Sequence, residues 1–249
     1  MKHITLLFMS IMMATFVAQA QSADEILSKY FENTGGLENW NKIEGVKISA
    51  KINQMGMEIP VTLIQYRDGR QANIISFQGK DIKQGVYDGQ NFWSHNFMTM
   101  KAEKSDAEST ENFKTTLGDF PDPFLNYQSR GYKVELMGKE TVEGSECYKI
   151  KLTRKPIKVD GKPQESISYY FFDANDYVPI LTESEMTSGE ARGMISQVKY
   201  SDYQEVNGVL FPFSIVQGVK GGQSQPLTVA AIEVNPKADP TWFAFPSDK

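Results

Sequence analysis

Ser105-Asp106-Ala107-Glu108-Ser109-Thr110-Glu111-Asn112-Phe113-Lys114-Thr115-Thr116-Leu117-Gly118 is the stretch where the chain stops alternating. No period-two pattern runs through it. Ser105 or Asp106 stands where a cap is needed, acidic residues crowd the first turn and Gly118 follows the last, which predicts a short helix over 106–117. Phe120-Pro121-Asp122-Pro123-Phe124-Leu125 comes next. It cannot sit inside a strand ladder, because each proline removes a backbone donor. A helical interruption therefore divides a β-rich protein near its middle. The expectation is a curved sheet with this stretch covering its concave side; the alternative is a loop that plugs one end of a closed barrel.

On either side the chain reads as hairpins. Val46, Ile48, Ala50 and Ile52 alternate with Lys47, Ser49 and Lys51, the pattern of a half-buried strand. Met57 to Tyr66, Gln71 to Gln78, Ile82 to Tyr87 and Phe92 to Phe97 follow, with Asp68-Gly69 and Asp88-Gly89 as turns. After the interruption come Lys133 to Lys139, Cys147 to Thr153, Ser166 to Phe172, Val178 to Met186, Met194 to Tyr203, Val209 to Gln217 and Leu227 to Val234. Asn207-Gly208 is a strong hairpin signal, since both residues tolerate positive φ. Roughly a dozen strands joined by short turns favour one antiparallel meander. One helix precedes them: Ala23 to Asn33 puts Ile26, Leu27, Tyr30 and Phe31 on one stripe and ends at Gly35-Gly36. Leu37, Trp40 and Ile43 make a short apolar turn into the sheet.

Residues 1–20 read as an export signal. Lys2 is followed by the apolar run Ile4 to Val17 and by Ala18-Gln19-Ala20, whose small residues suit cleavage after Ala20. The run is too short to be an anchor. No cysteine follows the cleavage point, so no lipid of the protein's own is expected. Residues 21–249 are then one domain, about 229 residues. The chain has 26 Lys and Arg against 31 Asp and Glu; without the leader the balance is 25 against 31, a net of about −6 in no block of like sign. That excludes an electrostatic footprint for nucleic acid. Cys147 is the sole cysteine, so no intrachain disulfide forms and the core must carry stability.

Few residues offer chemistry. The mature chain holds one histidine, His95, in an alternating strand, and neither a metal cluster nor a Ser-His-Asp set can be built on it. Cys147 lies in a strand as a small apolar residue. Asp173-Ala174-Asn175-Asp176 starts like a calcium loop, but Val178 and Ser184 stand where glycine and glutamate are required, so it reads as a turn. Gly218 to Gly222 reads as a flexible connection. Arg154-Lys155-Pro156-Ile157-Lys158 reads as a solvated hairpin end, the alternative being contact with anionic head groups. Met55, Met57, Met98 and Met100, close to Phe92, Trp93 and Phe97, suit an adaptable apolar surface or simply a Met-rich core. The strand from Met57 to Tyr66 is apolar on both faces, so both are covered. One side is expected to pack on the first helix and the other to line a cavity under the interruption. The candidate cavity residues are Met55, Met57, Ile59, Val61, Leu63, Phe92, Trp93, Phe97, Met98, Phe113 and Leu117.

Several phrases in order resemble the LolA/LolB-like superfamily of periplasmic lipoprotein-sorting proteins. They are Ala23-Asp24-Glu25-Ile26-Leu27 with Gly35-Gly36 and Trp40, Tyr87-Asp88-Gly89 before Phe92-Trp93, and Val134 to Glu140. Gly144 with Cys147-Tyr148-Lys149-Ile150, Tyr170 to Asp173, Tyr200 to Tyr203 with Gly208-Val209 and Pro212, and Phe245-Pro246 continue the pattern over nearly all the mature chain. It looks most like the outer-membrane lipoprotein-sorting branch of Bacteroidetes-type bacteria. The resemblance implies an unclosed β-barrel of about eleven strands, with helices lidding an apolar cavity that shields acyl chains. It also implies an arginine near the start of the sheet that latches the lid; Arg67 and Arg70 fall in that region, neither in a matching motif, and the role goes to neither. The expected function is a soluble periplasmic carrier of lipoprotein acyl chains or related lipids, monomeric, without cofactor, metal or bond chemistry, exchanging cargo with membrane transfer proteins. The alternative is a sensor or interaction module of the cell envelope; a hydrolase ranks last.

Overall fold

The computed structural model describes residues 21–54 and 56–246. The expected export segment and Met55 lie outside the described residues. The first helix, α1 (Ala23–Asn33), starts at a capping box: Glu25 N donates to Ser22 Oγ at 3.2 Å and Ser22 N to Glu25 Oε2 at 2.9 Å. A short α2 (Leu37–Asn41) leads into β1 (Gly45–Gln54), β2 (Met57–Tyr66), β3 (Gln71–Phe77), β4 (Lys80–Tyr87), β5 (Phe92–His95) and β6 (Ala102–Lys104). Then come α3 (Ala107–Lys114) and 3-10 turns at Leu117–Asp119 and Tyr127–Arg130. The second half holds β7 (Lys133–Val142), β8 (Ser145–Thr153), β9 (Ile157–Val159), β10 (Lys162–Gln164), β11 (Ile167–Asp173), β12 (Pro179–Glu185), β13 (Ile195–Val206), β14 (Val209–Val219) and β15 (Ser224–Val234).

Thirteen strands form one antiparallel sheet in the order β6-β5-β4-β3-β2-β1-β15-β14-β13-β12-β11-β8-β7. Its ends, β6 and β7, do not pair with each other, so the barrel is unclosed. The dozen strands read from the sequence all lie in this sheet, and β6, three residues long in a run without alternation, is the thirteenth; β9 and β10 make a separate hairpin in what reads as a basic loop.

Two cores lie on opposite faces. On the inner face the apolar stripe of α1 packs with Trp40, Val46, Ile150, Leu152, Phe172 and Phe211, so one cluster joins β1, β8, β11 and β14 around the helix. The rings interlock edge to face, Tyr30 on Phe172 at 5.4 Å and Phe31 on Trp40 at 6.0 Å. Gly35, at φ +116°, fixes the angle of α1: a Cβ there would stand 1.9 Å from Gly208 O. Leu210 N donates to Thr34 O at 3.0 Å across the same contact, so the Asn207-Gly208 turn holds the helix end against the sheet.

On the outer face the closing segment, which includes Trp242, Phe243 and Phe245, lies across β2 to β5. It buries Ile64, Tyr66, Ala72, Ile74, Val86 and Trp93. Both faces of β2 are therefore covered, but α1 lies on the inner face, and it is the C-terminal segment that covers the side opposite the cavity. Trp93 Nε1 donates to Phe243 O at 3.2 Å and Lys83 Nζ to Thr241 O at 2.5 Å, which fasten the segment.

Candidate functional site

On the inner face lie two adjoining chambers, the narrow one beneath the segment after α3. The narrow chamber, about 260 Å³, is walled by Val46, Ile48, Leu63, Gln65, Gln71 and Asn73 on the sheet and by Phe120 and Pro121 above, with Phe211 beside them. The wide chamber, about 520 Å³, runs over Ile52, Met186, Ile215, Val219 and Leu227, with Ser196, Gln217 and Gln225 at its polar part. Leu63 and Asn73 belong to both. Pairing explains the adjacency: Asn73, Leu63 and Ile48 form one cross-strand row over β3, β2 and β1, and Ile52, four residues along β1 on the same face, stands opposite Leu227 of β15. The combined space is of the size that takes a small ligand, about 300–1,000 Å³.

The cover is fastened on two sides. Phe113 of α3 stacks on Phe92 at 4.5 Å with 7° between planes and tilts on Tyr87 at 5.0 Å, which ties it to β4 and β5. On the far side Asn112 Nδ2 donates to Lys158 O at 2.6 Å and Lys158 N to Asn112 Oδ1 at 2.7 Å. Glu108 accepts from Asp160 N and Gly161 N at 3.0 and 2.7 Å. The helix thus ties β4 and β5 to the β9–β10 hairpin, and Phe120-Pro121 downstream roofs the narrow chamber. Asp119, at the base of the roof, accepts from Arg154 Nε at 2.6 Å and from Tyr132 OH at 2.8 Å. Arg154 also donates to Ser168 Oγ and Tyr170 OH, both at 2.9 Å. Arg130 donates to the carbonyls of Gly118 and Pro123, the latter at 2.7 Å.

The buried groups respond to this packing. Desolvation, then the hydrogen bond to Asp119, pushes the Tyr132 phenol up to about 12. Burial pushes the Asp122 carboxyl up to about 6 against the hydrogen bonds from Phe124 N and Tyr30 OH, each 2.8 Å.

No protein-family model matches the chain, and no curated protein matches it by sequence. Solved structures do match. A LolA superfamily protein from Nitrosomonas europaea aligns with a TM-score of 0.50 at 15% identity, over 90% of this chain and 98% of that one. A DUF1329 family protein from Desulfovibrio piger aligns with a TM-score of 0.51 at 12% identity, over 88% of this chain and 97% of that one. The chain has a LolA-like fold.

Within this LolA-like sheet the residues picked out by sequence scatter. Leu63 lines both chambers; Ile59 and Val61 share its face of β2 and are buried beside it. Phe92 faces inward but is taken up by Phe113, and Leu117 packs over the Gly69 turn, so these three hold the cover rather than line the space. Trp93, fully buried, points to the outer face, because it follows Phe92 in a strand and pairs with Val86. Met57, Phe97 and Met98 stand at hairpin tips, 53%, 61% and 94% exposed. Sequence reasoning passed over Phe211, Ile215, Leu227 and Met186, all remote in the chain from the interruption. It also read Arg154 as solvated. Arg67 donates to the Trp40, Asn41 and Ile43 carbonyls at 3.4, 3.1 and 2.7 Å and so holds α2, while Arg70 pairs with Asp68. Arg154 and Arg130 are the arginines that reach the cover.

Reactive groups lie elsewhere. His95 is on the outer face, where its Nδ1 accepts from Lys83 N at 2.9 Å. Cys147 is buried with Phe171 and Leu181, and desolvation pushes its thiol up to about 11. Among the described residues no three His, Cys, Asp or Glu side chains gather as a metal would need, and no helix is long and apolar enough to cross a membrane.

Proposed function

We propose that the protein is a periplasmic carrier or binder of acylated, lipid-like ligands, working by reversible burial rather than by bond chemistry. The observation that carries this reading is the two-chambered cavity, whose walls hold no charged side chain and whose narrow chamber is roofed by a separate, fastened segment. Each methylene moved from water into such a space contributes about 0.8 kcal/mol, so an acyl chain binds without any covalent step. The roof, held by Arg154 on one side and Phe113 on the other, is the part that opens. The export signal read in residues 1–20 supports the compartment. Lipoprotein acyl chains are the natural cargo for such a carrier, and membrane transfer proteins its partners.

The test is purification of the chain from Gln21 onward under native conditions, followed by solvent extraction and mass spectrometry. Acyl lipid at stoichiometric amount is the expected result. An empty protein that also ignores an apolar fluorescent probe overturns the reading. It would favour an interaction module, for which the exposed Phe97-Met98 tip offers a contact surface.

A further inference from the structure

The narrow chamber has a polar wall that a hydrocarbon chain does not explain. Gln65 on β2 stands directly opposite Gln71 on β3, and Asn73 faces the same space two positions along. Gln71 Nε2 is occupied, donating to Gly85 O at 3.0 Å. The half-buried Gln65 and Asn73 carboxamides make no side-chain hydrogen bond among the described residues, and they line the cavity. The rest of the inward row is Val46, Ile48 and Leu63, so the scaffold accepts aliphatic side chains here. A carboxamide set against hydrocarbon leaves donors and an acceptor unpaired, which is unfavourable next to an aliphatic residue of similar size.

The chemistry of the wall also limits the partner. A carboxamide offers two N–H donors and a carbonyl acceptor, the complement of an ester, an amide or a hydroxyl. No lysine, arginine or histidine lines either chamber. A carboxylate or phosphate drawn into this space would be desolvated without a counter-charge.

Resting on the carrier reading above, we infer that the cavity selects a neutral acyl ester or amide. Its carbonyl sits on Gln65 and Asn73 beneath Phe120-Pro121, and its chain passes Leu63 into the wide chamber. Free fatty acids and head-first phospholipids are discriminated against.

The experiment is displacement of an apolar fluorescent probe from the protein by methyl laurate, laurate and dodecane, matched in chain. The wild-type protein should prefer the ester over both others by about tenfold. Asn73→Leu should abolish the preference of ester over dodecane while dodecane binds at least as well as before, which serves as the internal control for folding. If that variant does not fold, Gln65→Leu is read in the same way. Equal binding of all three by the wild-type protein, or an ester preference that survives Asn73→Leu or its replacement, overturns the inference and leaves the carrier reading standing. Failure of all three to displace the probe removes both.

Discussion

Asp119 Oδ2 lies 2.6 Å from Arg154 Nε, and this ion pair joins the roof of the cavity to the end of β8. Both side chains are largely buried, at 18% and 11% exposure, so the pair is worth more than a surface contact. Arg154→Ala leaves Asp119 with Arg130 at 3.4 Å and Tyr132 as partners. The expected loss is about 2–3 kcal/mol, below the usual figure for a buried charge left wholly alone. Hydrogen exchange should rise selectively at residues 117–125 and leave α1 protected. Arg154→Lys should restore only part, because an ammonium cannot present the planar fork that reaches Asp119, Ser168 and Tyr170 together. Uniform loss of protection over the whole sheet would show that the pair supports the fold rather than the roof.

Leu63 and Met57 are on one strand, six residues apart, and share a face by parity, yet they should behave oppositely. Leu63 is the side chain common to both chambers, whereas Met57 lies at the hairpin tip in solvent. Leu63→Gln should weaken uptake of a fluorescent acyl probe about tenfold, the effect of a polar group inside an apolar contact. Met57→Lys should change neither probe uptake nor stability by more than about 0.5 kcal/mol. Titration of both variants with the same probe settles it; a loss on Met57→Lys would place the ligand at the rim instead.

Much of the sheet was legible because its signals are local. Val46, Ile48, Ala50 and Ile52 alternate because one face of β1 lies inside the barrel, where Val46 meets the cluster around α1 and Ile48 and Ile52 line the cavity. Asn207 and Gly208, at φ +52° and +78°, form the turn that the dipeptide announces. The site was harder to read because its determinants are not local. Phe92 and Trp93 are equally apolar neighbours, and which one faces inward depends on the C-terminal segment, more than a hundred residues later, covering the other. Arg154 precedes Lys155-Pro156-Ile157-Lys158, which looks solvated by composition; only the crossing of the roof from β5 to β8 brings Asp119 to it. The strands β9 and β10 are three residues each, too short to show a period.

The C-terminal segment should therefore be a stability element without a part in binding. Phe243 contacts Tyr66 at 6.0 Å between centroids, edge to face, and its carbonyl accepts from Trp93. Phe243→Ala should cost about 3 kcal/mol, the figure for a large buried aromatic. Trp93 emission should shift to the red as water reaches the indole, while acyl-probe affinity in the folded variant stays at the wild-type value. Loss of affinity without loss of stability would tie the outer face to the cavity.

Asp122 gives the fold a pH dependence of unusual sign. Its carboxyl is held by Tyr30 OH and Phe124 N and lies near Arg130 and Asp119, and burial raises it from 3.8 to about 6. Between those values the folded protein keeps a proton that the unfolded chain has released, so stability falls as pH rises from about 4 to about 6 and is flat on this account outside the window. The difference amounts to about 3 kcal/mol at most. Carboxylates held low elsewhere, such as Asp106 by the hydrogen bonds from Ser109, tilt the curve the other way, but they do so equally in wild type and variant. Asp122→Asn keeps an acceptor for Phe124 N and cannot ionise. Denaturant unfolding from pH 4 to pH 8 should show the variant gaining on the wild-type protein through the window and holding its lead above it. A constant difference between the two curves would mean that Asp122 titrates alike in the folded and unfolded chains, the hydrogen bonds from Tyr30 and Phe124 offsetting its desolvation.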